Sequence, residues 1–265
     1  MTGCRYVIAG GLLLALQSAL VRGRVALPDR RELRRIAVVA VMLLVIGNGL
    51  LCVAETRVES GTAALLIASS PIFMVLLDAA RRRRLPGPIA IAGIVVGSLG
   101  VAALVGKTSV HADRLMAGVI LLSSFSWAAG SVYARGKSEH HPLTPSLEML
   151  IGGGLSILIG LLIGEAARID VGAITAASLW GMLWLIVGGA MLGYSAFAYA
   201  VRKLPTTTVA TYGYVNPVVA VILGVLILHE PITWRILAGG AAVIASVLLI
   251  LFGTSRTADE AVAGT

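Results

Sequence analysis

Polar side chains inside long apolar stretches are the residues of this sequence that could bind a solute. Asn48 and Glu55 lie seven residues apart, close to two helical turns, so they share one helix face about 10 Å apart. Amide and carboxyl groups are expensive inside a membrane and usually face a cavity, so both are candidates for solute binding. Glu55 lies near the end of its stretch, and an interfacial position beside Arg57 explains it equally well.

A second group of candidates is aromatic as well as polar. Tyr212 and Asn216 are four residues apart and therefore share a helix face. Tyr194 lies inside an earlier apolar stretch, and with Asn48 these side chains predict one pocket lined by hydrogen-bonding and aromatic groups. The alternative is an aromatic belt at the membrane surface, which suits Tyr199 better than Tyr194 or Tyr212.

Two prolines lie near the middle of apolar stretches. Pro71 and Pro217 each leave the carbonyl four residues earlier without its donor, at Ile67 and Gly213, and are expected to kink their helices. Freed backbone groups are tolerated in a membrane only where protein or a water-filled cavity meets them. We expect both prolines, with Ser70, to border a cavity; a packing kink satisfied by a neighbouring serine or asparagine is the alternative.

One further stretch carries a polar residue at every fourth position. Ser123, Trp127 and Ser131 form a stripe that could face the pore, with Trp127 as a solute-binding candidate. A seam between helices explains the stripe equally well, because hydroxyl groups also join membrane helices. The sequence has no catalytic or phosphate-binding motif, and His140 and His141 are explained as a solvated loop pair. We therefore predict neither an enzyme nor a cofactor or metal site.

The composition predicts a lipid environment for these residues. Of 265 residues, 58% are hydrophobic and 13% are charged, whereas a soluble domain carries about 25% charged residues. The net charge of +8 comes from short basic clusters between apolar stretches, which cytoplasmic loops explain without nucleic acid. The expected partners are therefore the lipid bilayer and a small-molecule substrate.

Apolar stretches of about 20 residues predict an all-α, polytopic membrane helix bundle with nine visible spans. Their ranges are 3–21, 36–56, 61–80, 88–106, 115–135, 146–164, 179–201, 207–228 and 232–253. Arginine and lysine are concentrated in the loops after the first, third, fifth and seventh spans, which places those loops and the C-terminus in the cytoplasm.

The sequence also contains an internal repeat. Pro71 and Pro217 are 146 residues apart, and the same shift places Gly47 on Gly193 and Asn48 on Tyr194. It brings the first four spans onto the last four, and the fifth span has no partner. An odd number of helices per copy inverts the second copy in the membrane.

The repeat predicts an inverted five-plus-five architecture whose first helix is missing from the given sequence. The expected divisions are a first repeat over 1–106, a second repeat over 107–254 and a cytoplasmic tail over 255–265. A misassigned start codon or a truncated gene is the expected explanation for the missing helix.

Four sequence blocks resemble a known family of transporters. They are Gly47–Glu55, Ser126–Tyr133, Glu148–Leu150 and Ala210–Val221. Together they resemble the EamA family of the drug/metabolite transporter superfamily, and within it the YedA-like exporters. The resemblance implies ten helices in two inverted repeats, with a central cavity lined by helices that match the second, third, seventh and eighth spans.

The resemblance also implies a function, namely export of small metabolites or drugs by alternating access. No charged residue is expected at mid-span depth, so hydrogen bonds, aromatic faces and freed carbonyls should hold a neutral, zwitterionic or amphipathic solute. If protons drive export, Glu55 is the candidate for coupling. The alternatives are a non-transporting membrane scaffold or sensor, and an inactive truncated transporter.

Overall fold

A computed structural model describes residues 2–20, 28–58, 63, 66–83, 86–105, 114–135, 141–165, 172, 174–215, 219 and 234–263. Helices account for the regular structure of this part of the chain, which confirms the predicted all-α class. In chain order they are α1 (Thr2–Leu20), α2 (Arg30–Ala54), α3 (Ser70–Arg82), α4 (Pro88–Val105), α5 (Arg114–Ala134), α6 (Thr144–Leu162), α7 (Ala176–Lys203), α8 (Thr206–Ala210) and α9 (Trp234–Ala263).

Several of these helices have the length and composition of membrane spans. Among the described residues, Arg30–Ala54, Leu115–Ala134, Thr144–Leu162 and Ala176–Lys203 are long and apolar enough to cross a bilayer. Large apolar side chains on their surfaces are exposed, as at Leu162 and Trp184, with 78% and 74% of their surface accessible. A hydrocarbon environment covers such side chains without cost, so the exposure agrees with a multi-pass membrane protein.

The helices form two compact units that cut across the order of the sequence. Unit 1 consists of Met1–Cys52 and Tyr133–Lys203, and unit 2 consists of Val53–Val132 and Leu204–Thr265. Unit 1 thus combines α1 and most of α2 with α6 and α7, whereas unit 2 contains α3, α4, α8 and α9 with most of α5. Helices that correspond under the 146-residue shift therefore lie in the same unit.

Within unit 1, α1 and α6 approach each other along glycines. A Cβ atom built on Gly3 would lie 2.8 Å from the carbonyl oxygen of Gly153, and one on Gly10 would lie 2.9 Å from that of Ser146. The contacts run in opposite directions along the two helices, so the pair is antiparallel. Only residues without a side chain permit this approach, which places Tyr6 of α1 against the middle of α6.

Within unit 2, α4 and α9 form a similar pair. A Cβ atom on Gly93 would lie 3.1 Å from the backbone nitrogen of Ile250, and the Ser246 hydroxyl donates a 2.6 Å hydrogen bond to the Gly93 carbonyl. Tyr214, which is fully buried, donates from its hydroxyl to the Ile94 carbonyl at 3.2 Å. Small residues and interhelical hydrogen bonds together hold this pair.

Two helices extend beyond the predicted spans. Helix α2 begins at Arg30 rather than at residue 36, because Asp29 accepts from the Glu32 amide at 2.7 Å and Glu32 accepts from the Asp29 amide at 3.0 Å. The arginines at 30, 31, 34 and 35 therefore lie on a helix and not in a loop. Helix α9 continues to Ala263, so the expected tail over 255–265 is helical through that residue.

The span that contains Pro71 also differs from its prediction. Residues 68 and 69 form a turn, and α3 starts at Ser70, so Pro71 occupies the first helical turn instead of a helix interior. Proline suits this position because its missing N–H has no helical partner there. In the span predicted over 207–228, α8 ends at Ala210, Thr211 forms a turn, and residues 212–215 are helical again. Pro217 lies outside the described residues.

Candidate functional site

The backbone is unusual at two of the predicted site residues. Within α2 the segment Val41–Asn48 is π-helical, and within α7 the segment Leu185–Tyr194 is π-helical. The segments end at Asn48 and at Tyr194, the two residues that the 146-residue shift superimposes. In such segments the backbone hydrogen bonds span five residues instead of four. They are rare and often occur at functional sites. The same distortion thus marks the same position in both sequence repeats.

Asn48 is hydrogen-bonded to a residue that the sequence did not indicate. Its side-chain Nδ2 donates to the hydroxyl of Tyr6 on α1, which is 5% exposed. The Cys52 thiol lies 3.9 Å from Asn48 Oδ1, one turn further along α2, and its sulfur is 3.3 Å from the Thr2 hydroxyl. Asn48 is half-buried in this polar cluster. Its amide nitrogen donates to Tyr6, and its amide oxygen accepts from Cys52.

Tyr6 also contacts Tyr194, so it joins the two repeat-equivalent residues. The ring centroids are 6.2 Å apart and the rings meet edge to face at 64°. The Arg5 guanidinium carbon lies 4.6 Å from the centre of the Tyr6 ring, within the range of a cation–π contact. Asn48 and Tyr194 therefore belong to one cluster in unit 1, with Tyr6 between them.

A buried carboxylate completes this cluster. Glu148 on α6 has no exposed surface, and its Oε2 accepts a 2.9 Å hydrogen bond from the Tyr194 hydroxyl. Its Oε1 accepts from Nη2 of Arg202, and Nη1 of Arg202 donates to the Ala198 carbonyl at 2.6 Å. Each carboxylate oxygen therefore has one donor, and the charge has a partner, as a buried ionised group requires.

The predicted site did not include Tyr6, Glu148 or Arg202. Glu148 lies in a block that carries the family resemblance, and a carboxylate in an apolar stretch was a usable signal. Its partner Arg202 is 54 residues away and was interpreted as a loop residue. Tyr6 gave no local signal, because a tyrosine near a span end is ordinarily explained by an aromatic belt.

A small cavity of about 40 Å³ borders the ion pair in unit 1. It has room for about three water molecules at 10–15 Å³ each, and drug-sized ligands need 300 Å³ or more. It is therefore too small for a metabolite. The residues that line it are Glu32, Arg35, Ile36, Val39, Tyr133, Ala134, His141, Thr144, Glu148 and Arg202.

The predicted site residues are divided between the two units. Asn48 and Tyr194 are in unit 1, and the others that the structure describes are in unit 2. Asn216 and Pro217 lie outside the described residues. A cavity shared by the whole set stays a prediction.

Pro71 and its neighbours occupy unit 2. The Pro71 ring packs on Gly213, where an added Cβ atom would lie 2.9 Å from Pro71 Cγ. The Ser69 hydroxyl donates to the Leu66 carbonyl at 2.6 Å in the turn before α3, whereas Ser70 is buried. Tyr212, directly before Gly213, is 39% exposed. The helical structure is thus interrupted directly before Ser70, and the Pro71 ring packs against a glycine.

Glu55 and Trp127, also in unit 2, are placed differently. Glu55 is exposed in the turn that follows α2, a position that both the interfacial and the binding-site interpretation allow. Trp127 is half-buried on α5, and its carbonyl accepts a 2.7 Å hydrogen bond from the buried Ser131 hydroxyl. That hydroxyl is used within its own helix, so the expected pore-facing stripe loses one of its donors.

Comparisons with known proteins give a consistent family. The family model described as the EamA-like transporter family matches residues 1–106 and 114–252. The "Uncharacterized inner membrane transporter YedA" of Escherichia coli (strain K12) is 35% identical over 262 residues, which cover 95% of this chain and 81% of YedA. A "Probable amino-acid metabolite efflux pump" of Salmonella typhimurium is 25% identical over 220 residues, 77% of this chain and 71% of the pump.

A solved crystal structure shares the fold. It matches with a TM-score of 0.81 at 16% identity, over 97% of this chain and 88% of its own. The relatives matched by sequence are named as transporters and not as enzymes. The match to the family model across most of the chain confirms the resemblance seen in the sequence blocks. The chain therefore belongs to the EamA-like transporter family and is a multi-pass membrane transporter.

Proposed function

We propose that this protein exports small neutral or zwitterionic metabolites across the cell membrane by alternating access, with its C-terminus in the cytoplasm. The observation that carries the proposal is the pair of π-helical segments that end at Asn48 and Tyr194. Transporters with inverted repeats bind their solutes where corresponding helices of the two repeats are distorted. Export is the direction that the name of the Salmonella typhimurium relative supports.

The chemistry of the cluster suits a small solute with hydrogen-bonding groups. Asn48 and Tyr6 offer an amide and a phenol, and the Tyr6 and Tyr194 rings offer apolar edges. The Glu148 carboxylate is balanced by Arg202, so this pair presents no net charge. Arg5 over the Tyr6 ring adds a positive group that would suit the carboxylate of an amino-acid-like solute.

Transport by the purified protein in lipid vesicles tests the proposal. Uptake of radiolabelled neutral amino acids, a polyamine and a lipophilic dye would be compared between wild type, Asn48→Ala and Tyr199→Phe. Tyr199 is a matched control because it is on α7 and is 65% exposed. We expect wild type and Tyr199→Phe to transport a neutral or zwitterionic compound and Asn48→Ala to transport it with a KM raised about tenfold.

Two results would contradict the proposal. If wild-type vesicles accumulate none of the compounds above empty vesicles, a scaffold or sensor role is favoured. If Asn48→Ala transports with an unchanged KM while its insertion is normal, transport stands and the assigned site is wrong.

A further inference from the structure

We propose that Glu148, held by Arg202, is a positioning residue for solute recognition, because it fixes the hydroxyl and ring of Tyr194 at the end of the π-helical segment of α7. This inference rests on the proposed export function. It assigns to a buried ion pair a role that neither the sequence motifs nor the relatives' names provide.

The Glu148 carboxylate bridges two positions of one helix. Its two oxygens bind Tyr194 and Arg202, which lie eight residues apart on α7, about 12 Å along the axis. Side chains of a helix lean toward its N-terminus, so Arg202 reaches back along α7 to the carboxylate. Glu148 therefore joins the last residue of the π-helical segment to the C-terminal end of the α-helical segment that follows it.

This clamp fixes the orientation of Tyr194. The hydroxyl donates to Glu148 Oε2 across 2.9 Å, which gives the phenol one fixed direction in this buried position. With the hydroxyl held, the ring stays edge-on to Tyr6, whose own hydroxyl accepts from Asn48. A shift of Glu148 would therefore be transmitted through Tyr194 and Tyr6 to the other repeat-equivalent residue.

A charged group at this position has a physical reason. An apolar contact between α6 and α7 would join the helices at a lower desolvation cost, because buried ion pairs often stabilise no better than packed apolar residues. A carboxylate instead supplies two directional acceptors, which an apolar contact lacks. A directional acceptor is needed to fix the orientation of a phenol hydroxyl. The ion pair therefore suits the positioning of Tyr194 better than the joining of the two helices.

The surroundings of the ion pair differ on its two sides. Glu148 and Arg202 border the 40 Å³ cavity, whose described lining residues do not include Tyr6 or Tyr194. The tyrosine pair lies on the other side of the carboxylate and does not line that cavity. The ion pair thus lies between the small cavity and the aromatic contact.

A double-mutant cycle in the vesicle assay tests the inference. The variants are Glu148→Gln, Tyr194→Phe and their combination, with Glu165→Gln and Tyr199→Phe as exposed controls. We expect Glu148→Gln to raise the KM for the transported solute about tenfold, which corresponds to about 1.4 kcal/mol, with a maximal rate per inserted molecule within about twofold of wild type. In the Tyr194→Phe background we expect Glu148→Gln to change the KM by less than about twofold.

The opposite pattern would overturn the inference. If Glu148→Gln raises the KM equally with and without the Tyr194 hydroxyl, the carboxylate does not act through Tyr194. An unchanged KM in both backgrounds overturns it as well. If Glu148→Gln does not insert, Arg202→Lys, which keeps the charge, replaces it in the same cycle and the same two criteria apply. Absence of transport by wild type would instead refute the proposed function, and is thereby distinguished from failure of the positioning role.

Discussion

The close approach of α1 and α6 predicts opposite effects for two adjacent glycines. A methyl group at Gly153 would lie 2.8 Å from the Gly3 carbonyl oxygen, 2.8 Å from the Val7 amide nitrogen and 2.9 Å from Tyr6 Cβ. Two of these are backbone atoms, so the whole of α1 must move to accommodate it. A methyl group at Gly154 would meet nothing within 4 Å.

The magnitudes follow from these distances. Overpacking costs about 1–3 kcal/mol, and three contacts below 3.0 Å place Gly153→Ala near the upper end of that range. Alanine favours a helix over glycine by about 1 kcal/mol, which offsets part of the cost at Gly153 and is a net gain at Gly154. We expect Gly153→Ala to lose about 2 kcal/mol and Gly154→Ala to gain about 1 kcal/mol.

The assay is thermal unfolding of both variants in the same detergent. The readout is the fraction of the protein that remains monodisperse at each temperature. At about 2–4 °C per kcal/mol for a chain of this size, Gly153→Ala should lower the Tm by about 4–8 °C and Gly154→Ala should raise it by about 2–4 °C. Because α1 carries Tyr6, Gly153→Ala should also raise the KM for transport. A Tm for Gly153→Ala at or above that of wild type would refute the packing of α1 on α6.

Further predictions concern the polar cluster and the orientation. Tyr6→Phe removes the acceptor of Asn48 Nδ2 and leaves a part-buried donor unpaired, so the KM should rise about tenfold; an unchanged KM would show that this bond does not affect binding. Glu55→Gln should keep export and its pH dependence within about twofold of wild type, since Glu55 is exposed; loss of the proton dependence would make Glu55 the coupling residue. With both native cysteines replaced by alanine, an impermeant thiol reagent should label Val110→Cys but not Arg83→Cys in whole cells, and the reverse would refute the cytoplasmic placement of the basic loops.

Several features of the site were predictable because their causes are local in the chain. A membrane requires each spanning segment to satisfy its own backbone hydrogen bonds, so apolar length alone identifies helices such as Thr144–Leu162. The 146-residue repeat is likewise a property of the sequence, and it singled out Asn48 and Tyr194 as equivalent positions. Asn48 was identified because an amide inside hydrocarbon needs a polar neighbour, whichever residue that neighbour is.

Other features had no local cause and were decided by tertiary packing. The π-helical segments interrupt sequences whose apolar pattern is that of an ordinary span, and no spacing of residues distinguishes them. Pro71 was predicted to kink a continuous helix, yet the helix starts beside it, where the proline ring finds space at Gly213. The distance between these two residues in the chain makes that contact invisible to any local pattern.

The polar network of unit 1 shows most clearly which features the sequence predicts and which depend on tertiary packing. The sequence by itself predicted a multi-span membrane protein with an internal repeat, because lipid imposes its demands on each helix separately. Only the tertiary structure decided that Glu148 accepts from both Tyr194 and Arg202. A carboxylate in an apolar segment must find a donor, but helices that are distant in sequence compete to supply one. The glycine-mediated packing of α1 on α6 decides which side chains come within reach.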